Sequence, residues 1–154
     1  MSIRSWLFKA DAPPSTVLVR LLVGGVFFSE GIQKFLFPAA LGVGRFTTIG
    51  IPAPGVMAPF VGCVEIICGA LVMIGLLTRL AAVPLIIDIS VAIATTKIPM
   101  WLSKGFWPMA HEARTDYCML LGGIFLLIVG GGSWSLDRLL SKPTSQSGRA
   151  VHGI

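Results

Sequence analysis

The sequence predicts an all-α polytopic membrane protein in which four transmembrane helices form an antiparallel bundle. Of its 154 residues, 55% are hydrophobic and only 12% are charged, whereas soluble domains carry about 25% charged residues. The apolar residues are gathered in long runs, without the alternation of apolar and polar residues that is typical of the strands of a transmembrane barrel. Clusters of glycine and proline separate the runs and indicate turns between them.

Four apolar segments have about the length that a membrane span requires. A hydrocarbon core of about 30 Å takes roughly 20 residues of helix, and the segments are residues 16–37, 54–77, 80–96 and 115–132. An even number of spans returns the chain to the side on which it began. Lysine and arginine are slightly more numerous on the side of the termini. The sequence therefore predicts a multi-pass protein of the cell inner membrane with cytoplasmic termini.

The chain is predicted to hold one membrane domain, residues 16–140. Residues 1–15 are predicted to form a polar or interfacial segment. Residues 141–154, rich in Ser, Lys, Gly and Pro, are predicted to be a disordered tail.

The connections between the spans differ in length and chemistry. Thr78–Arg79 is the whole predicted link between the second and third spans, so these two helices must be antiparallel neighbours. Pro99 is predicted to end the third span. The loop that follows, residues 100–112, carries aromatic side chains such as Trp101 and Trp107, which favour the membrane–water boundary.

Glu65 lies near the middle of the second predicted span, among apolar and small residues. An acidic side chain at a helix centre costs about 2.5–3.5 kcal/mol on translocon insertion scales, so such groups usually face the protein interior. Ala58, Gly62 and Gly69 recur at helical spacing with Glu65 and would let a neighbouring helix approach closely. We expect Glu65 to point into the bundle. It is either a hydrogen-bonding group that fixes helix packing or a proton-carrying, ligand-binding group, and Asp88 in the third span has the same two interpretations.

Further charged residues cluster at the ends of the predicted spans. Glu30 and Lys34 are spaced i, i+4 with the acid first, which favours an ion pair. The predicted topology brings them to the level of the residues that begin the fourth span. The candidate residues for a polar proton relay or ligand site are Glu30, Lys34, Glu65, Asp88, Glu112, Arg114 and Asp116.

Arg20, Arg79 and Asp137 lie at the boundary on the side of the termini. We expect these three to be structural charges, through snorkelling to the boundary, ion pairing or capping of helix ends.

Several other chemistries lack support in the sequence. No catalytic residue can be assigned. No metal site is predicted, because the spacing of His111, Glu112 and Asp116 matches no metal motif, and no predicted span holds a histidine for haem. Cys63 and Cys68 lie five apart and are not a C-x-x-C redox pair. Nucleic-acid binding is not predicted, since the cations are scattered.

The chain resembles the DoxX family of small membrane proteins over about residues 17–140. The resemblance is carried by the order and spacing of short pieces. These are VRLLVGGVFFSEGIQKF with Arg20, Gly24, Phe28, Gly31 and Lys34; IGIPAPG from Ile49; Gly62, Glu65 and Gly69; IGLLTRLAA from Ile74; HEARTDY from His111; and SWSLDRLL from Ser133. Many relatives have a histidine at the position of Glu30, and this chain departs from them there.

The resemblance implies a four-helix membrane bundle and two alternative functions. Family members include subunits of quinol- or quinone-linked oxidoreductases, so the chain is expected to be at most a quinone-interacting or accessory subunit of such a complex. Quinone is then the expected ligand, no cofactor is bound covalently, and the electrons come from a redox partner subunit. The alternative is a non-enzymatic membrane anchor, assembly factor or chaperone. Under either interpretation the chain contacts the lipid bilayer, and homo-oligomerisation stays open.

Overall fold

The computed structural model describes residues 12–141, and this part of the chain is helical, without strands. Its α-helices are α1 (Thr16–Leu36), α2 (Val43–Thr48), α3 (Pro54–Ile74), α4 (Thr78–Ala92), α5 (Ile98–Lys104), α6 (Phe106–Glu112), α7 (Arg114–Val129) and α8 (Leu136–Ser141), with a π-helical turn at Ile93–Lys97 between α4 and α5. The predicted tail, except Ser141, and most of the predicted N-terminal segment lie outside the described residues.

Within residues 12–141, three helices are long and apolar enough to cross a membrane, namely α1, α3 and the continuous helix Thr78–Lys104. The prediction of an all-helical membrane protein is therefore confirmed. The fourth predicted span corresponds to α7, which has 16 residues and is about 24 Å long at 1.5 Å per residue. It ends at Val129, before the predicted end at residue 132, because Gly130 leaves the helical conformation with φ 85°.

The third span does not end at Pro99, as the sequence predicted, but continues to Lys104. Pro99 occupies the first turn of α5, and the turn directly before it is π-helical. In a regular α-helix a proline ring clashes with the carbonyl four residues earlier. The wider π-helical turn leaves room for the ring, so the helix passes through the proline. The predicted loop 100–112 is accordingly two short helices, α5 and α6.

The link between α3 and α4 lies three residues earlier than predicted. α3 ends at Ile74 because Gly75 adopts the left-handed conformation, with φ 71°, and the amide of Leu76 returns to the carbonyl of Leu71 at 2.9 Å. This is a glycine-dependent helix ending. The predicted link, Thr78–Arg79, instead forms the first turn of α4.

Helices α1 and α3 are antiparallel and pack closely through glycines. A Cβ atom on Gly31 would lie 2.7 Å from the carbonyl oxygen of Gly62, and one on Gly24 would lie 2.7 Å from the carbonyl oxygen of Gly69. These contacts show that the two backbones touch with no room for a side chain between them. Small residues at such crossings are typical of helix pairs in membranes.

The remaining long helices complete the packing. α3 packs on α4, α4 on α7, and α7 on α1. The buried apolar residues between them form one core, made of Val23, Phe27, Val72, Ala81, Ala82, Leu85, Ile89, Met119 and Leu126. Most of these residues lie in the half of the structure where α1 begins and α7 ends. A cavity lies mainly in the other half.

Candidate functional site

Glu65 points into the structure, as its small neighbours predicted, and only 3% of its surface is exposed. Its Oε2 atom accepts a hydrogen bond of 2.6 Å from Nζ of Lys34, and the two side chains form an ion pair. Side chains on a helix lean toward its N-terminus, so the side chain of Lys34 runs from the end of α1 down to Glu65 on α3. A buried carboxylate is thereby paired with a buried ammonium group, which offsets part of the cost of taking both out of water.

Asp88 on α4 is the third member of this group. It is half-buried and lines the same cavity as Lys34 and Glu65. Two carboxyl groups beside one ammonium group are balanced in charge when one of the two carries a proton.

The Lys34–Glu65–Asp88 group lines a cavity of about 690 Å³. This size lies within the range of about 300–1,000 Å³ that is typical of small-molecule sites. Most of the lining is apolar, and the lining residues come from α1, α2, α3, α4, the π-helical turn and α7. The polar and charged side chains among them are Glu30, Lys34, Arg45, Glu65, Asp88, Thr95, Thr96, Thr115 and Asp116.

On the side of the cavity farther from the link between α3 and α4, α2 and its flanking residues form part of the wall. Phe46, Ile49 and Ile51 line the cavity from this side. Opposite them, Nζ of Lys97 lies 3.2 Å from Oδ2 of Asp116, and both side chains are largely buried. This ion pair joins the π-helical turn to the first turn of α7, and Asp116 also lines the cavity.

The structure brings together five of the seven candidate residues and leaves two apart. Glu30, Lys34, Glu65, Asp88 and Asp116 all line this cavity. The expected cluster does not extend to the other two, which are exposed and do not line it.

Glu112 and Arg114 lie outside the cavity because α6 ends and α7 begins there, on the outer surface. The guanidinium of Arg114 turns back to donate to the carbonyl of His111 at 2.6 Å. Sequence spacing could not reveal this turn, since it depends on the helical form of the predicted loop.

Arg45 and Lys97 are charged residues near the cavity that the sequence did not single out. Arg45 lies on α2, in a stretch that the sequence predicts only as a glycine- and proline-rich connection. Lys97 lies one residue beyond the predicted third span, residues 80–96. The π-helical turn that follows α4 places Lys97 directly across from Asp116. The signal available in the sequence was the predicted topology, which puts both cations on the same side as Lys34.

Comparison with known proteins assigns the family. A model of the DoxX family matches residues 15–98, more than half of the chain. The protein belongs to the DoxX family. Lys34, Glu65 and Asp88 all lie within the matched region, whereas Asp116 lies beyond it. The expected family resemblance is confirmed.

Two curated relatives cover nearly the full length of this DoxX protein. It is 57% identical over 152 residues to the "Uncharacterized membrane protein Rv3486" of Mycobacterium tuberculosis, covering 94% of this chain and 93% of the relative. It is 32% identical over 127 residues to the "Putative oxidoreductase CatD" of Bacillus subtilis, covering 82% of this chain and 87% of the relative. No solved structure matches the chain.

The opposite end of the DoxX protein holds a second polar group, which is structural in character. Asp137 is almost fully buried, and its carboxylate accepts hydrogen bonds from the backbone amides of Leu77 at 2.7 Å and Thr78 at 3.0 Å. These amides begin α4, so Asp137 caps the helix from a distant part of the chain. Arg79 donates to the carbonyls of Ile128 and Val129 at the end of α7.

Arg20 does not snorkel to the boundary, as one of the sequence interpretations had it. It is only 3% exposed, and its guanidinium donates to the carbonyls of Gly131 at 2.7 Å, Trp134 at 2.6 Å and Met73 at 3.2 Å. The last carbonyls of a helix have no partner within it. Arg20 supplies one at the end of α3 and also holds the segment after α7. Capping of helix ends therefore describes all three residues.

Proposed function

We propose that this DoxX protein binds a quinone in the cavity and serves as the membrane subunit of a quinone-linked oxidoreductase. The observation that carries this proposal is the combination of a mostly apolar cavity of about 690 Å³ with the Lys34–Glu65–Asp88 group in its wall. A quinone is an apolar ring with two carbonyl oxygens, and it needs those two kinds of surface together.

The chemistry of the three side chains fits such a ligand. The ammonium group of Lys34 has three N–H donors, of which Glu65 takes one, so donors are left for a ligand carbonyl. A protonated carboxyl group of Glu65 or Asp88 would provide an O–H donor as well. A bound quinone takes up two electrons and two protons when it is reduced to the quinol. Glu65 and Asp88 would hold one of these protons next to the ligand, and the apolar walls would exclude water.

The electrons would come from a redox partner subunit. The relative CatD bears the name of an oxidoreductase, which supports a role in redox chemistry for this chain too. DoxX relatives that form part of quinone-linked complexes support the same assignment. Our proposal makes the chain the quinone-binding part of such an assembly.

We further propose that α7 crosses the bilayer with the other three long helices, which gives a four-helix transmembrane bundle. Four crossings put both termini on one side, and the excess of lysine and arginine there favours the cytoplasmic side of the inner membrane.

The proposal can be tested by extracting quinone from the purified protein. We expect quinone to co-purify with the wild type and to fall about tenfold with Asp88→Asn or Glu65→Gln, because an amide can carry neither the acid proton nor the negative charge that these side chains present to the ligand and to Lys34. Both substitutions keep the side-chain shape. Bound quinone is measured by absorbance of the organic extract.

Glu112→Gln is the matched control, since Glu112 is exposed and does not line the cavity. It should keep the quinone content of the wild type. A wild-type protein that carries no quinone, and that takes up none when quinone is added, would overturn the proposal and favour the anchor or assembly role.

A further inference from the structure

The outer faces of α3 and α4 carry stripes of exposed apolar residues at helical spacing. On α3 these include Val56, Phe60, Ile67 and Ile74, and on α4 they include Leu80, Val83, Ile87 and Val91. Three- and four-residue steps place each set on one side of its helix. In a membrane, such stripes face the lipid tails.

Three residues of these outer stripes also line the cavity. They are Phe60 of α3 and Ile87 and Val91 of α4. A side chain that lies both on the outer face and in the cavity wall marks a place where the cavity reaches the surface. The cavity therefore opens sideways, between α3 and α4.

The position of this opening follows from the connection between the two helices. α3 and α4 are joined by the three residues from Gly75 to Leu77, which holds them together at the end near the termini. Residues of both helices line the cavity in the other half, around Glu65 and Asp88. The two helices thus separate as they leave their short link.

The cavity also reaches the surface near α2 and the start of α7, because Glu30, Arg45 and Thr115 line it and are exposed. Phe46 and Ile49 line it from the side of α2. The Lys97–Asp116 ion pair joins the π-helical turn to α7. The exposed lining residues near α2 and α7 are polar or charged, whereas the opening between α3 and α4 is rimmed by apolar side chains alone, which suits a ligand with an apolar tail.

Building on the proposed function, we infer that the cavity receives its ligand sideways from the bilayer, through the opening rimmed by Phe60, Ile87 and Val91. The ligand is then a lipid-soluble quinone with an apolar tail. Its ring lies near the Lys34–Glu65–Asp88 group, and its tail lies in the opening between α3 and α4.

The test compares two quinones that share one ring, a benzoquinone without a side chain and the same benzoquinone with a decyl chain. Binding is measured with the full-length protein in lipid nanodiscs, as the quinone retained above that of protein-free nanodiscs. Three proteins are compared: wild type, Ile87→Trp and Ile67→Trp. Ile87 and Ile67 are both 59% exposed, and of the two only Ile87 lines the cavity.

We expect Ile87→Trp to weaken binding of the decyl quinone about tenfold, since a few methylene groups lose their contacts. Binding of the quinone without a chain should change less than about threefold, and Ile67→Trp should change neither. Equal losses of both quinones in Ile87→Trp, or no loss of either, would overturn the sideways opening. A wild type that binds neither quinone would instead overturn the proposed function.

Discussion

Within residues 12–141, Arg20, Lys34, Glu65 and Asp137 are fully or largely buried charges with specific partners, and the partners differ in kind at the two ends of the molecule. Near the termini the partners are backbone groups. Arg20 donates to carbonyls, and Asp137 accepts from amides. At the cavity the partners are other ionisable side chains, as in the Lys34–Glu65 pair. Backbone partners fix helix ends, whereas side-chain partners can exchange protons and can rearrange around a ligand.

Removing one member of the Lys34–Glu65 pair should cost more than removing both. Lys34→Met leaves Glu65 buried without its cation, a change that costs about 3–5 kcal/mol for buried pairs. Lys34→Met/Glu65→Leu removes the charge as well and should recover most of that loss. Thermal unfolding in detergent, followed by circular dichroism, measures both. A single variant as stable as the wild type would contradict this account of the pair.

Asp137 should stabilise the start of α4 from outside that helix. Asp137→Ala removes both hydrogen bonds to the amides of Leu77 and Thr78, and loss of a helix cap costs about 0.5–2 kcal/mol. Asp137→Asn keeps one oxygen acceptor and should lose less. The same unfolding measurement applies, with exposed Glu112→Ala as the control. Equal stability of Asp137→Ala and the control would show that the cap contributes nothing.

At the scale of elements, two pairs of helices are joined by different means. α1 and α3 are far apart in sequence and touch backbone to backbone through glycines. α3 and α4 are joined by a three-residue link and separate toward the cavity. The tight pair makes a firm wall that positions Lys34 against Glu65. The divergent pair makes the space in front of that wall.

The glycine contacts between α1 and α3 allow a comparison within one helix. Gly31→Ala should destabilise the protein by about 1–3 kcal/mol, as overpacking does, because the new Cβ atom would lie 2.7 Å from the carbonyl oxygen of Gly62. Gly25→Ala, also in α1, would meet no atom within 4 Å and should be neutral or slightly stabilising. Thermal unfolding of the two variants gives the difference. If both behave alike, the helices are not in backbone contact.

At the scale of the whole molecule, the number of membrane crossings decides whether the two termini lie on the same side of the membrane. In the part of the chain that the structure describes, three helices reach the length and apolar character of a span, and α7 is the shorter fourth candidate. A 16-residue helix leaves about 6 Å of a 30 Å hydrocarbon core uncovered. Residues 130–132, which follow α7, are buried. They lie beside the side chain that caps α3, since Arg20 donates both to the carbonyl of Gly131 and to that of Met73.

Reporter fusions distinguish three crossings from four. With α7 in the membrane, fusions to the two termini should report the same compartment, and a fusion after Lys104 should report the opposite one. Alkaline phosphatase and a fluorescent protein that matures in the cytoplasm give complementary readouts. Termini that report different compartments would contradict the four-helix transmembrane bundle.

The sequence by itself determined that this is a helical membrane protein and which ionisable residues within the spans are candidates for a functional site. Runs of apolar residues of the right length have no other stable form in lipid than helices, and a carboxyl group among them must face the protein interior. This is why Glu65 and Asp88 could be singled out, and why small residues at helical spacing with Glu65 predicted its direction. Such arguments depend only on spacing along one helix.

Only the tertiary structure decided which charged groups meet. The Lys34–Glu65 pair, the Lys97–Asp116 pair and the cap by Asp137 each join residues distant in sequence. Such contacts depend on how two helices rotate and cross, which spacing along one helix cannot give. The continuation of the third span through Pro99 is of the same kind. A proline usually ends a helix, and here a wider π-helical turn before the ring leaves room for it.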